Sequence, residues 1–403
     1  MLKNFKSKIP ASIWAIGLAS MLLNISTVMI FGIAAIYVKQ ILGVATGILL
    51  VLEGFFEAIA YLMKLFSGII SDYLQRRKFL IVWGIALSVI ARPIFALFSN
   101  LGAVLTARIL DRLGNGIHAT PRDALVSDLA PDDLKGACFG LRQSLAVAGS
   151  FIGGFLGIWC MTATNKDFQT VFAIASIPAF LGFLLVLFFV KDPKEAKKQK
   201  QKEPARHPIH FSDLKRLGKS YWFLMLIVLI FMSARVGESV LILHATDTFH
   251  LDQNFSHGVM ILYNGTNTLF SYPVGYLSDR FGRHGFLGLS FLLLMIADLF
   301  LGFAPNLTTM LIGVGIWGIQ IGMSQSMFLS LIADYVPEDL RGTGIGFFYL
   351  ISAVALIIAG TIGGAAAHIY NQFATFIISG IISLIALLML AVFHKIFQNK
   401  AVR

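Results

Sequence analysis

The sequence predicts an all-α membrane protein with twelve transmembrane helices in two six-helix halves. Three observations lead to this fold class: the composition, the length of the apolar runs and a pair of motifs that occurs twice. Apolar residues make up 57% of the 403 residues and charged residues only 13%, whereas soluble domains contain about 25% charged residues. The predicted partner of most of the surface is therefore a lipid bilayer.

The apolar runs are long enough to cross a bilayer as helices, which takes about 20 residues. They do not alternate in the short segments that the strands of a membrane barrel show. Their glycine and serine content favours close helix packing. Six runs fall in each half of the chain, and the predicted spans are 11–37, 44–70, 79–98, 101–125, 138–161, 168–190, 220–245, 256–277, 285–303, 307–332, 343–367 and 373–395.

Two sequence motifs occur in both halves, in the same order and at nearly the same spacing. The first begins at Gly68 and returns at Gly275, and the second begins at Asp128 and returns at Asp334. Such a repeat within nearly continuous apolar sequence predicts a membrane protein of two homologous halves. The key positions of the first motif are Gly68, Asp72, Arg76 and Arg77 in one copy and Gly275, Asp279, Arg280 and Arg283 in the other.

The net charge of +11 comes from basic residues at alternate ends of the spans. Basic loops face the cytoplasm, so both termini and the central linker are predicted to be cytoplasmic. Because the basic residues follow this pattern, they do not indicate a nucleic-acid partner. The predicted organisation is an N-terminal half at 1–190, a basic cytoplasmic linker at 191–219 and a C-terminal half at 220–403.

The repeated motifs have the chemistry of a gating latch. Glycine lets two helices approach closely, an aspartate caps or pairs at a helix end, and arginines reach acids on neighbouring helices. Asp128 and Asp334 are the expected partners of these arginines. The alternative is that the motif charges only anchor the helices at the cytoplasmic surface. Because a closely similar pattern occurs twice, we favour the latch.

With these motifs, the chain resembles the major facilitator superfamily over its whole length. In the first half, Tyr73 stands at the position of an arginine of the family's loop motif and Gln75 at that of a glycine. The resemblance implies the major facilitator fold and transport by alternating access. The motif Gly-x-Leu-Ala-Asp-Arg-x-Gly-Arg-Lys is matched in the second half by Gly275, Leu277, Asp279, Arg280, Gly282 and Arg283.

The fourth and fifth spans resemble this family further. Residues 112–119, Arg-Leu-Gly-Asn-Gly-Ile-His-Ala, resemble the Arg-x-x-Gln-Gly-x-Gly-Ala pattern of proton-coupled transporters, with Asn115 and His118 as departures. Residues 149–154, Gly-Ser-Phe-Ile-Gly-Gly, resemble the antiporter motif Gly-Pro-x-x-Gly-Gly, with Ser150 in place of the proline. These resemblances imply proton-coupled export. The glycines are equally explained as packing contacts between helices.

Charged residues inside membrane spans are costly and indicate functional sites. Glu53 and Glu57 lie about one turn apart in the middle of the second span and are the first candidates for proton coupling, followed by Asp111 and Glu238. A water-filled cavity between the halves explains their depth, and an ion pair that orients helices is the alternative for each. The candidates for lining a substrate cavity are Arg108, Arg112, Asn115, Arg142 and Arg235.

The repeat separates the shared scaffold from chemistry that is present in one half only. Asp111 and Arg112 correspond to Trp317 and Gly318 in the second half. Residues that lack a counterpart in this way are better candidates for substrate or proton handling than for the latch.

Several other polar residues have simpler explanations. Ion pairs that orient helices are the preferred interpretation of Lys64, Arg122 and Asp298. His118 and His244 are interpreted as hydrogen-bonding core residues, although a histidine is able to titrate near neutral pH. No pair of histidines and acids has convincing metal spacing, so no metal and no cofactor is expected.

The expected function is secondary active transport, with a small molecule, drug-like or a metabolite, exported in exchange for protons. The sequence has no nucleotide-binding loop motif and no nucleophile and base of an enzyme, so an ion gradient is the expected energy source. Uptake or exchange of a small organic anion is the alternative within transport. A non-transporting membrane receptor is the alternative outside it. The expected location is a plasma membrane, in bacteria the inner membrane, and the expected state is a monomer.

Overall fold

The computed structural model describes residues 9–74, 76–131, 134–191, 216–337 and 340–397. Nearly all of these residues are helical, and no strand occurs among them. A short 3-10 turn at Gln253–Phe255 precedes the ninth helix. The helices are α1 (Ala11–Gln40), α2 (Thr46–Leu74), α3 (Arg77–Leu97), α4 (Leu101–Leu129), α5 (Lys135–Ala163), α6 (Phe168–Phe189), α7 (Gly218–Ala234), α8 (Ser239–Thr248), α9 (Ser256–Phe281), α10 (Arg283–Gly302), α11 (Leu307–Tyr335), α12 (Arg341–Ile369) and α13 (Gln372–Phe397).

The all-α membrane fold with twelve spans is confirmed, with α7 and α8 counted together as one span. Within the described residues, nine helical segments are long and apolar enough to cross a membrane, by length and composition. The three other spans, α2, α4 and α9, contain 29, 29 and 26 residues. At about 1.5 Å per residue, each is longer than the hydrocarbon core of about 30 Å.

The seventh span, predicted at 220–245, is present, but its helix is broken in the middle. α7 ends at Ala234 and α8 begins at Ser239. We call the four residues between them, 235–238, the hinge. A membrane helix interrupted in this way exposes backbone groups that bind ligands or ions.

The hinge has a defined local structure. Arg235 has φ −82° and ψ 90°, and the Val236 amide donates to the Ala234 carbonyl over 3.1 Å. A hydrogen bond between these positions is that of an inverse γ-turn. Hydropathy does not reveal the turn, because the flanking residues are mostly apolar. The available sequence signal is Gly237 next to Glu238, since glycine lowers the stability of a helix interior.

The two halves repeat the same packing. In the first half α3 packs against α4 and α6, and in the second half α10 packs against α11 and α13. The helix starts repeat as well: Asn100 Oδ1 accepts from the Ala103 amide over 2.9 Å, and Asn306 Oδ1 accepts from the Thr309 amide over 2.9 Å. These asparagines satisfy an amide that the helix itself leaves unpaired. They are 206 positions apart, from 100 to 306, so the repeat extends from the loop motifs to the helix caps.

By their contacts the described residues form two compact units. The first comprises the described residues of Met1–Tyr37 and Ile59–His207, and the second those of Val38–Ala58 and Pro208–Arg403. The end of α1 and the first half of α2 therefore pack within the second unit. Lys39 illustrates this, because its Nζ lies 2.5 Å from Asp247 Oδ2 in α8.

The organisation read from the sequence remains a prediction. It places residues 38–58 with the half at 1–190, whereas their contacts place them with residues of 220–403. Most of the linker at 191–219 lies outside the described residues.

A glycine pair allows α2 to pack closely within the second unit. A Cβ atom added to Gly54 would lie 2.4 Å from the Leu356 carbonyl oxygen and 2.9 Å from the Gly360 Cα. Any side chain at Gly54 would therefore push α2 away from α12. This contact fixes the segment of α2 that carries Glu53 and Glu57.

Candidate functional site

The two glutamates of α2 lie in the second unit, and Glu53 is beside the hinge. Glu53 is buried, with 6% of its surface exposed. A Cβ atom added to Gly237 would lie 3.0 Å from the Glu53 Cβ, so the glycine lets the hinge backbone approach the glutamate. Glu57 is partly buried. The sequence predicted their depth in the span, and the structure adds that Glu53 contacts the break in the seventh span.

A tyrosine of α9 binds the glutamate of the hinge. The Tyr263 hydroxyl donates to Glu238 Oε1 over 2.7 Å, and Tyr263 is buried. The charges of Glu57 and Arg235 also act on this hydroxyl. We call Glu53, Glu57, Arg235, Glu238 and Tyr263 the hinge cluster. It brings together three of the four proton-coupling candidates and one substrate-cavity candidate, while Tyr263 was missed because tyrosines are common packing residues.

Asp111, the fourth proton-coupling candidate, belongs to the first unit and forms an ion pair. Its Oδ1 lies 3.2 Å from Arg92 Nη1. Arg92 is buried and also donates to the Ser88 carbonyl over 2.6 Å, to the Thr27 hydroxyl over 2.9 Å and to the Ser26 hydroxyl. The network joins α1, α3 and α4. This geometry favours a structural role for Asp111.

Two of the substrate-cavity candidates share one aromatic ring. The guanidinium carbons of Arg108 and Arg112 lie 4.3 and 4.6 Å from the centre of the Phe31 ring. The face of an aromatic ring attracts cations, so Phe31 interacts with both arginines. Asn115, further along α4, is partly buried. We call Arg108, Arg112 and Asn115 the arginine face.

Arg142 shares an aspartate that the sequence analysis missed. Asp123 Oδ1 lies 3.1 Å from Arg122 Nε and 3.6 Å from Arg142 Nε. The ion pair expected for Arg122 is therefore present. Consecutive residues of a helix do not face each other, so the spacing offers no reason to expect this partner. The contact ties Arg142 of α5 to α4.

The latch arginines contact the two aspartates that the sequence analysis named. In the first unit Arg77 Nε lies 2.9 Å from Asp128 Oδ2. In the second unit Arg283 Nη1 lies 2.7 Å from Asp334 Oδ1 and 2.8 Å from Oδ2. Both partners repeat at 206 positions, from 77 to 283 and from 128 to 334. One ion pair is therefore built twice, and its role in gating remains a proposal.

The other latch positions add less. A Cβ atom added to Gly68 would lie 3.2 Å from Thr120 Cγ2, which is a tight contact between α2 and α4. Arg76 is exposed. The remaining latch positions lie outside the part of the chain that the structure describes in full, and they are Asp72, Gly275, Asp279 and Arg280.

The predictions for the remaining polar residues had mixed outcomes. His118 Nδ1 lies 2.8 Å from the Gly114 carbonyl and His244 Nε2 lies 2.9 Å from the Leu301 carbonyl, as expected of core histidines. The ion pair expected for Asp298 was wrong for the described residues, since the acid contacts a serine hydroxyl in an apolar interior.

The remaining two differences concern Lys64 and the glycines of α5. Lys64 Nζ lies 4.5 Å from the centre of the Tyr61 ring, and the ion pairs of the described residues do not include it. A Cβ atom added to Gly149 would lie 2.2 Å from the Met21 carbonyl oxygen. Gly149 thus packs α5 closely against α1, as the packing interpretation of the antiporter-like motif expects, and the role of this motif in export stays a prediction.

Two repeated helical units, charged clusters within the spans and an ion pair repeated at the same loop motif together define the class of secondary transporters with internal repeats. The sequence profile described as Major Facilitator Superfamily matches residues 16–259 and 224–401. The chain belongs to the major facilitator superfamily.

Relatives and solved structures agree with this family. An uncharacterized MFS-type transporter of Methanocaldococcus jannaschii is 27% identical over 386 residues, which is 94% of each chain. A gentisate transporter of Corynebacterium glutamicum is 24% identical over 84% of this chain and 77% of its own length. The crystal structure of a POT family transporter in complex with a thioalcohol-conjugated peptide covers 98% of this chain and 99% of its own, with a TM-score of 0.79 and 15% identity. The last similarity supports the fold alone.

Proposed function

We propose that this chain is a secondary active transporter that exports a small molecule, drug-like or a metabolite, in exchange for protons. The observation that carries the proposal is the hinge cluster. In it, Glu53 contacts the hinge of the seventh span, and the hinge contains Arg235 and Glu238. Charged groups at this depth are costly unless they serve a function. Export is the direction implied by the antiporter-like motif of α5.

Proton binding and hinge movement are coupled in this mechanism. A protonated glutamate needs no counter-charge, whereas an ionised glutamate is stabilised by a nearby arginine. A movement of Arg235 towards the acids favours proton release, and a movement away favours proton uptake. Because alternating access moves the hinge, proton exchange and cargo exchange occur in one cycle.

A solute screen followed by two transport assays tests this function. Purified protein is screened with lipophilic cations and small organic acids, because a bound solute raises the unfolding temperature. A solute that binds is then tested in proteoliposomes for counterflow and for accumulation driven by an imposed pH gradient. The proposal expects both activities. Counterflow that does not respond to the pH gradient contradicts proton coupling.

A small organic anion is a second candidate cargo, for uptake or exchange. Arginine binds carboxylates through paired hydrogen bonds, and the arginine face presents two guanidinium groups on one ring. The Corynebacterium glutamicum relative is named a gentisate transporter, and gentisate is an aromatic carboxylate. If the cargo is an organic anion, gentisate should bind and the screened cations should not displace it. If the cargo is a cation, gentisate should not displace that cation, because one site is not expected to bind both signs of charge.

Both termini and the linker are proposed to face the cytoplasm of a monomer in a plasma membrane, in bacteria the inner membrane. Single cysteines are introduced as Lys200→Cys and Asp252→Cys after Cys138 and Cys160, which are both buried, are replaced by serine. Asp252 is exposed. An impermeant maleimide should label position 252 in intact cells and position 200 only after permeabilisation, because basic loops stay inside. Labelling of both positions from outside contradicts the twelve-span topology.

The latch is expected to act on transport rate rather than on stability. Asp334→Asn removes the negative charge that pairs with Arg283, and the side chains of Asp334 and Arg283 are 42% and 31% exposed. An exposed ion pair stabilises a protein by at most about 1 kcal/mol, so the unfolding temperature should change little. Transport should slow by about tenfold, which corresponds to about 1.4 kcal/mol in the barrier, because the pair exists in only one conformation.

Asp128→Asn makes the corresponding change in the other half, at the pair of Arg77 and Asp128, and is compared in the same assay. Exchange of the partners, Arg283→Asp with Asp334→Arg, should restore part of the rate. A rate that the single substitution leaves unchanged would assign the pair to surface anchoring.

A further inference from the structure

A buried aspartate outside the hinge cluster has no described counter-charge. Asp298 in α10 is 1% exposed. Its Oδ2 lies 2.6 Å from the Ser379 hydroxyl of α13, and its Oδ1 has no hydrogen-bond partner among the described residues. The ion pairs formed within the described part of the chain do not include it.

Comparison with the first half shows that a buried charge at this position has a counter-ion there. Asp298 lies 206 positions after Arg92, from 92 to 298, which is the spacing of the latch pairs and of the helix caps. In the first unit the buried Arg92 is neutralised by Asp111. The residue that corresponds to Asp111 in the second half is Trp317, which carries no charge. Both halves thus place a buried ionisable group at this position, and only the first supplies its counter-ion there.

A count of hydrogen atoms indicates that Asp298 carries a proton. The Ser379 hydroxyl lies 2.6 Å from Asp298 Oδ2 and 2.8 Å from the Ala234 carbonyl oxygen. A hydroxyl has one hydrogen to donate, so it serves one of these two acceptors. A proton on Asp298 completes the set, because the carboxyl group then donates to Ser379 and Ser379 donates to Ala234.

A metal ion fits these atoms less well. The ligands of a cation point their lone pairs at the ion and repel one another, whereas these oxygen atoms lie at the distances of O–H···O hydrogen bonds. Within the described residues, no group of three histidines, cysteines and acids is placed to hold a metal ion. Na⁺ is nevertheless the alternative occupant of this site, and the experiment below has to exclude it.

We propose that Asp298, Ser379 and the Ala234 carbonyl form a proton site that controls the hinge. Ala234 is the last residue of α7, and its carbonyl also accepts from the Val236 amide that closes the γ-turn. When Asp298 loses its proton, Ser379 turns its hydroxyl to the carboxylate and leaves the carbonyl. The end of α7 then loses one hydrogen bond, directly before Arg235, the first residue of the hinge.

The charged groups around this site are consistent with control through the hinge. His244 of α8 donates to the Leu301 carbonyl of α10 over 2.9 Å. The hinge supplies Arg235 and Glu238, whereas the charges of α11 and α13 lie at helix ends, at Asp334, His394 and Lys395. Arg235 is therefore the cation nearest in sequence to the carbonyl that Ser379 releases. This site goes beyond the coupling proposed for Glu53 and Glu57, and its test requires no substrate.

Infrared spectroscopy tests the proton directly, because a protonated carboxyl group absorbs separately from a carboxylate. The difference spectrum between the wild type and Asp298→Asn at neutral pH should show the loss of one protonated carboxyl band. Ser379→Ala should shift that band, because the carboxyl group loses its acceptor. Ser383→Ala is the matched control: Ser383 joins the same two helices by donating to the Phe291 carbonyl over 2.8 Å, and its loss should leave the band unchanged.

Hydrogen–deuterium exchange tests the control of the hinge. After correction for intrinsic exchange, peptides covering residues 232–241 of the wild type and of Ser383→Ala should exchange faster once Asp298 is deprotonated at high pH. In Asp298→Asn this increase in the exchange rate at high pH should be absent. If Asp298→Asn does not fold, Ser379→Ala provides the same comparison, because the relay to Ala234 is absent.

Three results would overturn the proposal. They are a carboxylate band in place of the protonated one, a protonated band that disappears when choline chloride is replaced by NaCl at constant pH, and an exchange step that persists in Asp298→Asn. Neither readout involves transport. A failure of gradient-driven transport therefore leaves this inference standing, and its own failure leaves the role of Glu57 untouched.

Discussion

Replacement of Glu57 by glutamine is expected to abolish transport driven by a pH gradient while counterflow continues. Glutamine mimics the protonated glutamate permanently, so the cargo still binds and exchanges, but no proton is released in the cycle. Both activities are measured in the same proteoliposomes. The expected loss is complete, because a group that does not titrate carries no proton.

Glu53→Gln serves as the comparison. A milder effect is expected if Glu57 alone titrates, and an equal effect if the two carboxylates share one proton. A structural role for either residue gives a different result, with lower folded yield and parallel loss of both activities. If the double variant still follows the pH gradient, Glu53 and Glu57 are excluded, and Glu238 becomes the first candidate of the hinge cluster.

The second large effect is expected at the buried ion pair of the first unit, and it is an effect on stability. Asp111→Ala leaves the Arg92 guanidinium, which is 3% exposed, without its counter-charge. Loss of one partner of a buried pair costs about 3–5 kcal/mol. Thermal or denaturant unfolding in detergent should show this decrease, in contrast to the small change expected for Asp334→Asn.

The double variant Arg92→Met with Asp111→Leu separates the charge from the packing. Apolar residues of similar size often replace a buried ion pair without loss of stability, so most of the decrease should be recovered. If Asp111→Ala is as stable as the wild type but loses the response to a pH gradient, Asp111 is a proton carrier and the structural interpretation is wrong.

The spans were predictable because each rests on a local property that a membrane makes unambiguous. A run of about 20 apolar residues has few alternatives to a transmembrane helix. The loop motif was predictable for a different reason: a repeated spacing exposes residues that composition hides. Arg283 and Asp334 are far apart in sequence, yet their counterparts at Arg77 and Asp128 made the pairing expected.

The hinge and the partners of the buried charges were not predictable to the same extent. The break after Ala234 lies in a segment whose mean hydropathy is still that of a membrane span. Only Gly237 and the two charges of the hinge, Arg235 and Glu238, hint at it. The relation between Asp298 and Ser379 depends on how α10 and α13 pack, which no spacing along one helix reveals. The repeat contains part of this information, since Arg92 and Asp298 occupy equivalent positions.

Proton movement in wild-type proteoliposomes is the most direct test of the claim that protons energise transport. Vesicles containing a pH-sensitive dye receive, without an imposed gradient, a solute that the binding screen has identified. We expect a pH change that depends on the solute and that is absent with Glu57→Gln and with protein-free vesicles. A normal solute flux without any pH change in the wild type would contradict the proposed coupling.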